Sequence, residues 1–179
     1  MLPVSARRLI AGAVTVAGLL SLPLTATGAD PATADDRAFA TVLHCVGQID
    51  MQVVDVPGGR ASGRGKLLCT EPGGQEQAAA IVMSGSVTGG GGSATGTRTS
   101  DTISFETGKK SHLTMDRTFT RLSGGTTGPA GSVGNGRVDS GEFAGAGARD
   151  EGAAQAGTFV IGATGTSYFM DRYTLTLGR

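Results

Sequence analysis

TVLHCVGQIDMQVVDV, residues 41–56, decides the fold class. Leu43, Cys45, Gly47, Ile49, Met51 and Val53 occupy one alternate set of positions. His44, Gln48, Asp50 and Gln52 occupy the other, with Val46 as its one apolar exception. Side chains of a strand point alternately to opposite faces, so this pattern predicts a strand with one face in a core. Pro57-Gly58-Gly59-Arg60 follows as a turn signal. Beyond it RGKLLCT, residues 64–70, returns with Leu67 and Cys69 on one face and Lys66, Leu68 and Thr70 on the other. The midpoint of Cys45 and Cys69 falls at the turn, so a hairpin sets the two cysteines opposite each other. Strand pairing and a Cys45–Cys69 disulfide therefore support each other. In the chain-entropy model, closing a loop of this size is worth about 3 kcal/mol.

Working outward, the same period recurs. Ala78–Val87 carries Ala79, Ile81, Met83 and Val87 on one set. Strands are predicted at 102–107 and 111–122, and in the second Leu113, Met115 and Phe119 share a face with Arg117 and Arg121. Weaker candidates lie at 133–138 and 142–146, and a better one at 157–163. The chain closes with 168–177, where Phe169, Tyr173, Leu175 and Leu177 alternate against Met170, Arg172, Thr174 and Thr176. The glycine-rich stretches 88–96 and 123–131 read as loops, with the order of 88–100 and 123–131 left open. No helix is expected in residues 30–179. About 7–9 short strands separated by turns imply an all-β domain, an antiparallel barrel or a sandwich. A barrel is favoured, because closure removes exposed edges and its corners call for glycine.

The N-terminus reads differently. Arg7 and Arg8 precede a largely apolar run from Leu9 to Leu22, followed by Pro23 and a small-residue segment up to Ala29. That order describes a helical secretory signal peptide, residues 1–29, cleaved after Gly28 or Ala29. The run is shorter than the ~20 residues that a spanning helix needs. Residues 30–40 then form a loose tail, residues 41–179 a single β-domain, and the mature chain is expected to be extracellular with no membrane span. Export places Cys45 and Cys69 where disulfides persist. Without the leader, thirteen bases face fifteen acids and 28 of 150 residues are glycine. A near-neutral chain gives no electrostatic reason to bind nucleic acid.

No assembled catalytic motif stands out in the sequence. Gly91-Gly92-Ser93-Ala94-Thr95-Gly96 has neither the second glycine of a nucleophile elbow nor the lysine of a phosphate loop. The two histidines, His44 and His112, lie within predicted strands. Asp139, Glu142, Asp150 and Glu151 cluster in a glycine-rich stretch without the alternating pattern of a calcium loop, so they read as solvated loop acids. No metal site and no cofactor are expected. Met51, Met83, Met115, Phe119 and Phe159 are the residues that could line an apolar ligand site, although plain core packing explains them more simply. Ser140-Gly141-Glu142-Phe143-Ala144-Gly145-Ala146 resembles glycine-rich strands of the allene oxide cyclase and dirigent barrels; the resemblance implies a barrel and places no catalytic residue. The Arg, Ala and Gly bias resembles that of secreted proteins of high-GC Gram-positive bacteria.

The leading expectation is a non-enzymatic binding module whose partner is an extracellular protein, a cell-wall component or a small apolar ligand. A roomy Met- and Phe-lined interior favours the small molecule, and a solid core with an exposed apolar patch favours the protein. A second expectation is a barrel enzyme of cyclase or hydrolase type, which needs His44 or His112 to converge with Asp50 or Asp116 in a cavity. A third is a structural surface protein that assembles through strand edges.

Overall fold

The computed structural model describes residues 39–179, without the side chains of residues 154–156. The leader and most of the tail lie outside the described residues. Eight antiparallel strands form a closed barrel: β1 (Thr41–Val53), β2 (Arg60–Thr70), β3 (Glu76–Gly91), β4 (Ala94–Phe105), β5 (Lys110–Arg121), β6 (Thr127–Gly141), β7 (Gly147–Gly162) and β8 (Gly165–Gly178). Each strand pairs with its neighbours in sequence, and β1 pairs with β8 to close the ring. The described residues contain no helix.

The hairpin that decides the fold forms in the expected register. Cys45 stands opposite Cys69 with Cα atoms 3.9 Å apart, and the two are disulfide-bonded. Leu43, Cys45, Ile49, Met51 and Val53 point inward with Ala61, Leu67 and Cys69. The interior is mainly apolar, with a buried polar set that includes Thr97, Thr99, Asp101, Arg117 and Asp150, and most outward positions are polar.

The strands run longer than the hydrophobic pattern predicts, because glycine and threonine positions belong to them. Residues 88–91 finish β3 and residues 94–100 open β4, leaving only Gly92 and Ser93 as the turn. Gly92 takes φ 61°, which suits the first position of a two-residue hairpin turn. Residues 127–131 likewise belong to β6. The expected strand at 142–146 is instead the turn between β6 and β7, with Phe143 at φ 63°. The segment that suggested a family resemblance is thus largely a turn here.

One face assignment is corrected in β8. Met170 and Tyr173 both point inward, while Phe169 is 42% exposed. Against β1 the register steps from Gly47↔Tyr173 to Ile49↔Met170, so Asp171 and Arg172 together oppose Gln48. This bulge changes the alternation by one residue. On β7 the register with β8 also shifts, between Gly152 and Gly157.

Inward-facing glycines on β6 and β7 give room to large side chains from neighbouring strands. A Cβ on Gly136 would collide with Met115 Sδ, and one on Gly152 would lie 2.9 Å from Met170 Sδ. At one end Phe39 packs over Gly147 and Gly178, with the Arg149 guanidinium 4.7 Å from its ring centroid. Phe105 and Phe143 meet edge-to-face nearby, their centroids 6.1 Å apart. At the opposite end Asp55 ties the β1–β2 turn to Thr95, at 3.0 Å, and to Thr166.

Candidate functional site

The barrel contains a charged cluster that the sequence pattern half conceals. Arg117 on β5 is 2% exposed and points inward between Met115 and Phe119. Its Nε donates to Asp150 Oδ2 at 2.6 Å, and its Nη2 donates to Asp101 Oδ2 at 2.5 Å. Nη1 donates to Thr99 Oγ1 at 2.7 Å, and Nη2 also reaches Tyr173 Oη at 3.3 Å. The Tyr173 hydroxyl donates to Asp150 Oδ2 at 2.7 Å. Four strands, β4, β5, β7 and β8, are joined through one guanidinium. Gly134 on β6 makes this possible: a Cβ there would collide with Asp150 Oδ1 and stand 2.8 Å from Arg117 Cγ.

Burial alone would push the Arg117 guanidinium down, but the electrostatic pull of Tyr173, Asp150 and Asp101 lifts it well above its ordinary value. Burial raises the Tyr173 phenol well above its ordinary value, and Asp150 adds to the effect. The cluster is therefore a fixed cation between two carboxylates, with Asp101 Oδ1, Asp150 Oδ1 and Thr97 Oγ1 buried nearby without a hydrogen-bond partner. This corrects the reading of the acids between 139 and 151. Asp150 is buried, whereas Asp139 is on the outer surface bonded to Arg137 and Thr114, Glu142 is in a turn bonded to Lys109, and Glu151 is exposed. Asp101 lies one residue before the strand that the sequence pattern predicts at 102–107, inside the longer β4.

The methionines and phenylalanines singled out from the sequence all lie inside. Met51, Met83, Met115, Phe119 and Phe159 are each 0–1% exposed. Met51 faces the gap left by Gly63, Met115 faces that of Gly136, and Phe119 stacks on Tyr168 with centroids 4.8 Å apart. They occupy the positions of core residues packed against one another.

The histidines do not converge with acids. His44 is outward and shares a hydrogen bond with Thr176 Oγ1 at 3.2 Å. His112 is outward beside Thr102 Oγ1 at 3.1 Å. Asp116 is engaged on the outer surface by Arg98, two bonds at 2.8 Å, and hydrogen bonding to that guanidinium holds its carboxyl below the usual range. Among the described residues no group of three or more His, Cys, Asp or Glu side chains could hold a metal ion.

The outer surface carries the other feature that needs an explanation. Register places Val46 opposite Leu68, and Leu68 opposite Ala78. The next outward row is Gln48, Lys66 and Ala80. In the row after that Phe169, Asp50, Arg64 and Val82 lie side by side on β8, β1, β2 and β3. Val46, Leu68, Val82 and Phe169 are 43, 49, 58 and 42% exposed. Polar rows border these three rows above and below along the barrel axis. Thr176, His44, Thr70 and Glu76 form the row on one side, and Ser167, Gln52, Ser62 and Ser84 the row on the other. Thr102 and Ser104 flank it on β4, and Thr158 and Glu151 on β7.

Two clefts open in this face. One of about 770 Å³ has Gly47 in its lining, together with Val46, Leu68 and Ala78, and meets the bulge at Asp171 and Arg172. The other, about 470 Å³, lies between Phe169 and Val82 and shares Gln48 and Lys66 with the first. The missing side chain at Gly47 follows from close packing: a Cβ there would collide with the Lys66 carbonyl. The pattern contained a signal for this face, since Val46 broke the polar set of its strand and Leu68 shared a face with Lys66. No protein-family model matches the chain, and no curated protein matches it in sequence.

Proposed function

We propose that the chain is a non-enzymatic extracellular binding module that engages its partner through the outer face of β8, β1, β2 and β3. The observation that carries this reading is the apolar patch of Val46, Leu68, Val82 and Phe169, bordered by polar rows and opened by two clefts. Val46, Leu68 and Ala78 adjoin one another, and Phe169 and Val82 stand at the two ends of a row whose middle is Asp50 and Arg64; large apolar side chains gathered around two clefts in this way favour a binding surface. The interior favours the same conclusion from the other side. Met51, Met115 and Met170 fill gaps left by glycines and Arg117 is bonded to both buried carboxylates, which favours packing over ligand storage, although Asp101 Oδ1 and Asp150 Oδ1 are left without a partner. The outward histidines, each beside a threonine, support a binding role over an enzymatic one. Closure of the barrel leaves no free edge among the described strands, which disfavours assembly through strand edges. A buried disulfide suits an oxidising compartment, in keeping with the leader read from the sequence.

Native mass spectrometry of the protein purified from its own culture supernatant tests this reading. The expected result is a complex in the wild type and a bare monomer in L68D, with V82D as a second variant of the same face. A small molecule retained equally by wild type and both variants would move the function into the interior and overturn the proposal.

A further inference from the structure

Exposed apolar surface is divided unequally between the two ends of the barrel. One end carries the β1–β2, β3–β4, β5–β6 and β7–β8 turns, and the other carries the remaining turns. Ten large apolar side chains of the described residues are exposed, and five of them, Val54, Val56, Leu122, Val160 and Ile161, lie at the first end. None of the ten stands on a turn of the opposite end. The five form an arc over adjoining turns. Ile161 N donates to the Thr126 carbonyl at 2.7 Å, which joins the end of β7 to the β5–β6 turn that carries Leu122. A Cβ on Gly165 would collide with the Val53 carbonyl and lie 3.2 Å from Val54 Cα, so the β7–β8 turn sits against the β1–β2 turn.

The near-neutral charge of the whole chain hides a second asymmetry. At the first end, residues 52–62, 86–97, 118–130 and 158–168 contain two bases, Arg60 and Arg121, and one acid, Asp55. Both oxygens of Asp55 are taken by Thr95 and Thr166. At the opposite end, residues 68–78, 102–112 and 137–149 contain five acids and four bases. Only the first end combines exposed apolar turns with cations and no free carboxylate.

Two clefts lie within the arc. One, about 280 Å³, is lined in part by Val54, Arg60, Ser62 and Val160. The other, about 610 Å³, is lined in part by Arg121, Leu122, Ser123 and Ile161. Each cleft therefore sets one guanidinium beside a hydroxyl and two apolar side chains. Arg60 opens β2 and Arg121 closes β5, while Val56 and Leu122 are carried beyond them on the turns. Apolar tips with cations one step behind match the layers of an anionic bilayer, where acyl chains lie beneath headgroup phosphates. Guanidinium forks fit phosphate oxygens, and their stems accept apolar surroundings. Separate tips on glycine-rich turns suit a flat, deformable surface better than the close-fitting core of a protein interface. We infer that this end of the barrel docks on an anionic lipid surface. Val56 and Leu122 enter the acyl boundary, and Arg60 and Arg121 meet the headgroup phosphates. This contact does not rest on the outer-face reading above.

The test is flotation of the secreted protein with vesicles of phosphatidylcholine containing phosphatidylglycerol, and with vesicles of phosphatidylcholine alone. Binding to the anionic vesicles is expected to weaken as salt rises, and the neutral vesicles are expected to bind more weakly. V56D/L122D is expected to stay unbound, and R60E to bind the anionic vesicles about tenfold less tightly. V133D charges an equally exposed valine on β6, away from this end, and is expected to bind like the wild type. Circular dichroism checks that all three variants are folded. Wild type that fails to float with anionic vesicles at low salt overturns the proposal. So does V56D/L122D that floats as well as the wild type, or R60E that binds unchanged. If vesicles do not bind but a photo-crosslinker at position 122 captures a protein from the culture supernatant, this end serves a protein partner and the lipid reading falls.

Discussion

Arg117 Nε lies 2.6 Å from Asp150 Oδ2, joining β5 to β7 across the barrel interior where neither side chain is exposed to solvent. Asp101 adds a second carboxylate from β4. Removing one member of such a cluster leaves the others charged and buried. R117M is therefore expected to destabilise the fold by about 3–5 kcal/mol. The triple variant R117M/D101L/D150L removes all three charges at once and is expected to recover most of that loss. D116N, which breaks the exposed pair with Arg98, is expected to leave the midpoint nearly unchanged. Urea unfolding of the three variants checks the order.

Alkaline pH gives an independent view of the interior. Burial raises both tyrosines of the chain, Tyr173 well above its ordinary value and Tyr168 by less. Their stabilising contribution is fully present below the unfolded value of about 10 and is lost as pH rises through the higher folded values. Stability is expected to fall above about pH 10, and absorbance at 295 nm is expected to rise only with cooperative unfolding. A smooth tyrosinate titration in folded protein would place at least one phenol in contact with water.

Two glycines with different surroundings test why this chain is glycine-rich. Gly134 faces Arg117 and Asp150, and G134A is expected to cost about 1–3 kcal/mol through overpacking. Gly89 has no neighbour within 4 Å of an added Cβ, and its φ is not positive. G89A is expected to be neutral, or stabilising by about 0.4–1 kcal/mol through the unfolded chain. Thermal midpoints measured side by side give the comparison.

The disulfide closes the hairpin that defines the register. C45A/C69A is expected to lose about 2–5 kcal/mol while keeping the barrel, because the same hairpin is also bonded to β3 and β8. Denaturant titration and far-ultraviolet circular dichroism separate lost stability from lost fold.

The hairpin was readable because large apolar residues mark every inward position and two cysteines fix its register. That register also pairs Val46 with Leu68, so half of the outer patch was encoded in residues already noted. Phe169 was not readable, because the bulge at Asp171–Arg172 changes its face without leaving a mark in the apolar pattern. Strands β4, β6 and β7 extend beyond their apolar pattern because Thr95, Thr97, Thr99, Gly134 and Gly152 hold inward positions without being hydrophobic. The buried cluster was missed for the same reason. Asp101 and Asp150 look like surface acids until the strands are extended and Arg117 is seen to face both.

Amide chemical-shift mapping of the labelled protein, titrated with concentrated culture supernatant, locates the surface at which the proposed partner binds. Shifts are expected to centre on Val46, Leu68, Val82 and Phe169, on the outer face of β8, β1, β2 and β3, with Arg117 and Tyr173 unchanged. Shifts centred on the interior, or on the loop ends with this face silent, would rule out recognition through the outer face.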